Sequence, residues 1–262
     1  MTARPTLLAL GARSLYVGPA FGLTPHANAV SLLACGLDGP FHVAVGDDIG
    51  QAGRGRGRLC RSVFIPAGTL LQLRCGTTTM GFLYVDAQSL DDRLLRQRFG
   101  MGNGDRIGFG VPREAEVIFF LRRVADAGPG RRLAWAALLD LLEIHHEQQG
   151  DERVRRGIQR LVSDPSAEHS LAALAADANL SASRYLHLFK QATGVPLRRY
   201  RQWIRMGAAV RAMARGQSLT EAALDAGFSS SSHFSAAFRE MFGMAPSALA
   251  GMGLRYGKAE TS

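Results

Sequence analysis

Apolar residues form short runs up to about residue 86, and after it they recur at the spacing typical of helices. The runs between residues 6 and 86 are separated by Gly, Pro and Asp, and they read LLAL, SLYV, AVSLLACGL, FHVAV, RSVFIPA, TLLQLRC and GFLYV. Many short strands at close spacing favour a small antiparallel barrel or sandwich, since closing a sheet removes its exposed edges. The segment GQAGRGRGR at 50–58 is expected to be a loop between strands.

Helical periodicity then extends through most of the chain, first over 89–99, 112–127 and 131–149. Gly150 and Asp151 break it before a second helical array begins. The pattern predicts an α+β chain, with a small N-terminal β-barrel and trailing helices followed by an all-α region. The predicted division is a β-rich domain at 1–130, a connecting helix at 131–150, an all-α domain at 151–250 and a tail at 251–262.

Two segments of the all-α region repeat one design, a short helix, a turn and a second helix. In the first, SLAALAADANLSASRYLHLFKQATG (170–194), Ser170 and Ser181 are suited to cap the two helices. The second, SLTEAALDAGFSSSSHFSAAFREMFG (218–243), begins with capping-box spacing. Apolar residues of each second helix share one stripe, so the opposite stripe is predicted to face outward. That outward stripe contains Ser183, Leu186, His187 and Lys190 in the first motif, and Ser232, Ser235, Ala236 and Arg239 in the second.

The connection at 197–214 is predicted to be one basic helix, and a helix of this length spans about 27 Å. Successive major-groove segments on one side of B-DNA lie about 34 Å apart, so this helix can hold both motifs against one duplex. Lys and Arg exceed Asp and Glu by nine, which favours a polyanionic partner. Charge alone fits nucleic acid or anionic lipid, whereas the paired motifs favour DNA.

Other classes of protein are disfavoured by what the sequence does not contain. Cys35, Cys60 and Cys75 form no CxxC pair, so neither a zinc site nor a disulfide framework is predicted. No apolar run reaches membrane-spanning length, and the first residues do not form a signal peptide. A cytoplasmic protein without membrane contact is therefore expected.

Residues 151–250 resemble the DNA-binding domain of the AraC/XylS family, and AGFSSSSHFSAAFREMFGMAPS is similar to the signature of that family. The resemblance implies a transcription regulator, not an enzyme, that binds double-stranded promoter DNA. It suggests activation through RNA polymerase, although repression fits the residues equally well. Carried over by position, it implicates Ser183, Arg184, Leu186 and His187 in the first motif, and Ser231, Ser232, His233, Ser235 and Ala236 in the second.

Charge adds Lys190 and Arg239 to these contacts, as partners for DNA phosphates. Two positions depart from the family pattern. A basic residue is common where this chain has Ala236, and an aromatic residue followed by Arg is common where it has Leu249-Ala250. We therefore expect the first motif to be the main reader of bases.

The N-terminal region resembles the cupin-like effector domain of the same family through TPHANAVSLLACGLDGPF and SVFIPAGTLLQL. The resemblance implies that this domain senses a small molecule or a partner. Cupin enzymes hold a metal with an H-x-H pair, but here the pattern is His26-x-Asn28, so neither a metal nor another cofactor is predicted. The candidate effector contacts are His26, Phe41, Phe64 and Tyr84, for which a place in the core is an equal or better explanation.

Two alternative functions stay open on the sequence. One is a ligand-independent DNA-binding protein of weak specificity, which the small outward side chains of the second motif favour. The other is a metal-dependent cupin enzyme joined to a DNA-binding domain, which the missing second histidine disfavours. A homodimer formed through helix 131–149 is also open, and the adjacent His145 and His146 are expected to lie at its solvated surface.

Overall fold

The computed structural model describes residues 5–21, 24–49, 57–76, 78–102, 104–127, 135–144, 151–249 and 252–258. The strands are β1 (Thr6–Leu10), β2 (Arg13–Pro19), β3 (Val30–Gly36), β4 (Phe41–Val45), β5 (Arg58–Cys60), β6 (Ser62–Ile65), β7 (Leu71–Arg74), β8 (Thr79–Asp86), β9 (Gly108–Phe109) and β10 (Arg255–Lys258). The helices are α1 (Leu90–Arg98), α2 (Glu114–Ala127), α3 (Trp135–Leu141), α4 (Glu152–Ser163), α5 (Leu171–Asp177), α6 (Ala182–Thr193), α7 (Leu197–Ala214), α8 (Leu219–Asp225) and α9 (Ser231–Phe242).

The strands form two open sheets. One has seven strands in the order β10-β1-β2-β8-β3-β6-β9, and the other has three in the order β5-β4-β7. The predicted closed barrel is therefore wrong, although the α+β class is confirmed. Closure is not needed here, because β10 covers the β1 edge in parallel register and the faces of the large sheet are covered by other elements.

The central strands β3 and β8 are buried on both faces, and the alternation of their side chains shows which layers cover them. Val30, Leu32 and Ala34 of β3 belong to a core shared with the C-terminal helices. Leu33 and Cys35, which point to the opposite face, belong to a core formed with α2 and α3. The large sheet is thus the middle layer between two sets of helices.

Most of these elements were predicted from the sequence. The seven apolar runs appear as strands, and helices 89–99 and 112–127 appear as α1 and α2. Helix 131–149 is seen as α3, while 128–134 and 145–150, with His145 and His146, lie outside the described residues. The strands β5, β9 and β10 were not predicted, since each is short or lies in a segment expected to be loop or tail.

One of the two hydrophobic cores contains residues from both halves of the chain. Trp203 of α7 and Phe242 of α9 pack in the same cluster as residues of the sheets, and the Tyr84 and Phe242 rings meet edge to face at 5.0 Å. The fully buried carboxylate of Asp86 at the end of β8 accepts hydrogen bonds from Arg199 Nε at 2.7 Å and Trp203 Nε1 at 2.9 Å. None of the described helices is both long enough and apolar enough to cross a membrane.

Candidate nucleic-acid interface

The first helix-turn-helix motif is built by serine caps and one left-handed residue. Ser170 Oγ accepts a hydrogen bond from Ala173 N at 3.0 Å and begins α5. Asn179 makes the turn at a φ of 53°, a region that Asn adopts more readily than most residues. Ser181 Oγ then accepts from Arg184 N at 3.3 Å and begins α6. The serine caps predicted from the sequence are therefore confirmed.

One face of helix α6 is buried and the opposite face is exposed. Tyr185 and Phe189 are fully buried, and both belong to the core cluster shared with α7. The predicted contact residues on the opposite side are all exposed, namely Ser183, Arg184, Leu186, His187 and Lys190. Leu186 is among the few large apolar side chains left exposed in the described chain. Apolar groups at such a position are suited to contact a thymine methyl group.

The second motif repeats the design with a complete capping box. Glu221 N donates to Ser218 Oγ at 3.2 Å, while Ser218 N donates to Glu221 Oε2 at 3.0 Å. These hydrogen bonds from Ser218 lower the pKa of Glu221 below its ordinary value. Gly227 makes the turn at a φ of 85°, and Ser230 Oγ accepts from His233 N at 3.0 Å to begin α9.

Helix α9 has the inward stripe that its spacing predicts. Phe234, Ala237, Phe238 and Met241 are buried, whereas Ser232, His233, Ala236 and Arg239 are exposed. Ser231 and Ser235 are half-buried. The His233 ring is held in place, since its Nδ1 lies 3.0 Å from Ser229 Oγ and its plane meets Phe228 edge to face. The outward face of α9 is therefore small and mostly neutral, with Arg239 toward its end.

The four candidate effector residues of the N-terminal region lie in different places. Phe41 is buried in the core shared with the C-terminal helices, and Phe64 stacks on Phe99 in the other core. His26 is half-buried, with Nδ1 at 2.8 Å from Thr24 O, and it lies against Gly243 at the end of α9. Tyr84 lines a cavity. No three His, Cys, Asp or Glu side chains of the described residues form a group that could hold a metal.

That cavity lies between the large sheet and the helices α7 and α9, and its volume is about 40 Å³. It was not predicted, because its walls come from strands and helices far apart in sequence. None of the side chains that line it is charged: Leu7, Ala9, Ser14, Tyr16, Phe21, Tyr84, Trp203, Met206, Gly207, Val210, Phe238, Phe242, Met244, Leu249 and Tyr256. Burial raises the pKa of Tyr16, Tyr84 and Tyr256, so their hydroxyls stay protonated.

Comparison with known proteins identifies the C-terminal half. Residues 174–251 match the family described as "Helix-turn-helix domain", a range that contains the second motif and all but the first four residues of the first. This region is a helix-turn-helix domain.

One solved structure shares the fold of most of the chain, and others are reported with it. ToxT from Vibrio cholerae O395 is 14% identical, with a TM-score of 0.51 over 92% of this chain and 98% of that one. A ToxT structure from strain SCE256 with bound unsaturated fatty acid is 12% identical, with a TM-score of 0.46 over 90% and 94%. A regulator from Chromobacterium violaceum with an AraC-type DNA-binding domain is 23% identical, with a TM-score of 0.35 over 37% and 88%. A search of curated protein sequences found no match.

Proposed function

We propose that α6 and α9 enter successive major grooves of promoter DNA and that α6 reads most of the bases. The observation that carries this proposal is the exposure of the polar stripe of each helix while the opposite stripe is buried. Helix α7, with 18 residues, joins the two motifs and gives them a fixed spacing. Contact with RNA polymerase and self-association stay predictions from the family resemblance.

The proposed roles differ between the two helices because their side chains differ in chemistry. Arg184 and His187 on α6 offer donors that can reach base edges, and Lys190 can contact a phosphate. The outward face of α9 offers mainly serine hydroxyls and the Ala236 methyl group. Arg239 is therefore assigned to a phosphate and α9 mainly to positioning. The small face of α9 also favours the second candidate function, a DNA-binding protein of weak specificity.

Binding of a randomised DNA pool by the full chain tests these roles. We expect Arg184→Ala and His187→Ala each to relax selection at particular bases by about 1–3 kcal/mol. Arg239→Ala should weaken binding to all sequences and reduce the salt slope by about one. Arg123→Ala, an exposed substitution on α2, is the control. If the unmodified chain binds all sequences of the pool equally, the result would instead favour the second candidate function, a DNA-binding protein of weak specificity.

We infer that the cavity between the sheet, α7 and α9 binds a small apolar effector. Hydroxyls supply most of the polar groups of its walls, so an ionised ligand would lose hydration there without gaining a counter-ion. Drug-sized ligands occupy pockets of about 300–1,000 Å³, far more than this cavity offers. A ligand of that size must therefore move α7 or α9 away from the sheet, and this movement would connect effector binding with the DNA-binding helices.

Thermal unfolding with two matched probes tests the effector site. The probes are a saturated medium-chain alcohol and the carboxylate of the same carbon number. We expect the alcohol to raise Tm more than the carboxylate, and Val210→Phe, which fills the cavity, to abolish the difference. A larger shift with the carboxylate, retained in Val210→Phe, would contradict a neutral ligand in this cavity.

A further inference from the structure

A large open groove lies beside the first helix-turn-helix motif, between the C-terminal helices and the N-terminal region. Its volume is 1520 Å³. One wall is formed by the β1–β2 turn and the start of α1, and the other by α4, α6 and α7. His187 and Lys190, two of the proposed DNA contacts, lie on the second wall. The groove is therefore continuous with the exposed face of α6.

The side chains of the groove carry a positive excess. Arg13, Arg93, Arg155, Lys190 and Arg211 line it, against Asp91 as the one lining carboxylate among the described residues. Arg13 is paired with Asp91, Arg155 is paired with Glu152, and the Arg211 guanidinium lies 5.7 Å from the centre of the Tyr256 ring. Arg93 and Lys190, both exposed, have no acidic partner within the part of the chain that the structure describes. They stand on opposite walls.

The start of α1 is close to the end of α6. A Cβ atom added to Gly194, which ends α6, would lie 3.6 Å from Leu90 N, the first residue of α1. Arg93 follows one turn into α1, while Asp91 and Asp92 of the same turn are buried and bonded to Arg13, Ser31 and Arg96. Arg93 is thus the charge that the first turn of α1 presents to the groove.

We propose that the N-terminal region is part of the DNA interface, with Arg93 contacting the phosphate backbone next to the site read by α6. This rests on the proposed role of α6. B-DNA carries one negative charge per about 1.7 Å of its axis, so a duplex seated on His187 and Lys190 brings phosphates to the groove beside them. The positive excess and the continuity with α6 favour DNA over an acidic protein as the occupant.

The test uses the full chain and a DNA fragment selected from a randomised pool by the unmodified protein. Affinities are measured at about 50 and about 200 mM salt, and the affinity at the lower salt is divided by that at the higher salt. One phosphate contact contributes about a factor of three to this ratio. Arg93→Ala should lower the affinity and reduce this ratio by about that factor, without changing base preference. Arg98→Ala is the matched control, since Arg98 is exposed on the same helix but paired with Glu143.

The outcomes separate the two proposals. Binding that is weakened by Arg184→Ala but unchanged by Arg93→Ala would overturn the N-terminal contact and leave the role of α6 intact. Loss of the Arg93→Ala effect when the duplex is shortened beside the α6 site would support the contact. An equal loss of affinity in Arg93→Ala and Arg98→Ala would overturn it, because the effect would then come from general charge. Failure of the unmodified chain to bind any DNA would overturn both proposals.

Discussion

At the scale of single residues, Asp86 joins the N-terminal sheet to the C-terminal half of the chain. Its carboxylate is fully buried, and Arg199 and Trp203 of α7 both donate to it, while Arg199 Nη2 also donates to Ala29 O at 3.3 Å. Sequence reasoning did not find this contact, since residue 86 was identified only as the point where the spacing of apolar residues changes. A partner more than a hundred residues away leaves no local pattern.

Asp86→Ala should destabilise the full chain strongly. It leaves the partly buried Arg199 guanidinium without its counter-ion and Trp203 Nε1 without its acceptor. Breaking a buried ion pair by removing one partner costs about 3–5 kcal/mol. The free energy of unfolding in urea measures this, with Glu116→Ala in the exposed Arg113–Glu116 pair as a control that should not change it. A loss no greater than that of the control would show that the Asp86 contacts add little.

Glu221 makes the stability of the second motif depend on pH. Its pKa in the folded chain lies below the ordinary 4.5 because Ser218 hydrogen-bonds the carboxylate. Its stabilising effect is therefore present above the unfolded pKa and is lost as pH falls through the folded pKa. We expect Glu221→Gln to lower Tm at pH 7 and to have a smaller effect below about pH 4. A Tm difference that is constant over this range would contradict the capping box as its source.

At the scale of elements, the two motifs were predictable because their signals are local. The serine caps and the period of the apolar stripe lie within one motif, and the predicted caps and stripes are present in the structure. The sheet arrangement was not predictable in the same way. The apolar runs of β3 and β8 indicate from the sequence that both faces are buried, but the sequence does not say which layers cover them. Whether the sheet closes depends on helices and a C-terminal strand distant in sequence.

Gly194 and Gly243 end the equivalent helices α6 and α9, and they give a matched pair of substitutions. Both have a left-handed φ, 77° and 71°, so Ala at either position costs about 1–2 kcal/mol. A Cβ atom at Gly243 would also lie 1.8 Å from His26 Cδ2, whereas the nearest atom at Gly194 is 3.6 Å away. We expect Gly243→Ala to lower the free energy of unfolding more than Gly194→Ala.

His26→Ala provides the control for this pair. It should recover part of the loss in Gly243→Ala by removing the clash, and it should have no such effect in Gly194→Ala. Equal effects of the two glycine substitutions, or no recovery with His26→Ala, would show that His26 does not lie against the end of α9.

At the scale of the whole molecule, the shared core predicts one cooperative unfolding transition. The chain has two tryptophans, Trp135 in the core formed with α2 and α3, and Trp203 in the core shared with the C-terminal helices. Single-tryptophan variants, Trp135→Phe and Trp203→Phe, should each show fluorescence and circular dichroism transitions at the same urea concentration. Transitions that separate in either variant would show that the halves unfold independently, as two domains of the sequence-based division would.

Four residues, Ala9, Trp203, Gly207 and Tyr256, line both the apolar cavity and the basic groove. A ligand that displaces these residues in the cavity therefore also changes the shape of the groove, and the reverse holds for DNA in the groove. Thermodynamic reciprocity then requires that any factor by which an effector changes DNA affinity is the factor by which DNA changes effector affinity, commonly about 5- to 150-fold. Promoter DNA would act as a ligand of the sensor, so the effector concentration to which a cell responds would differ between bound and free regulator.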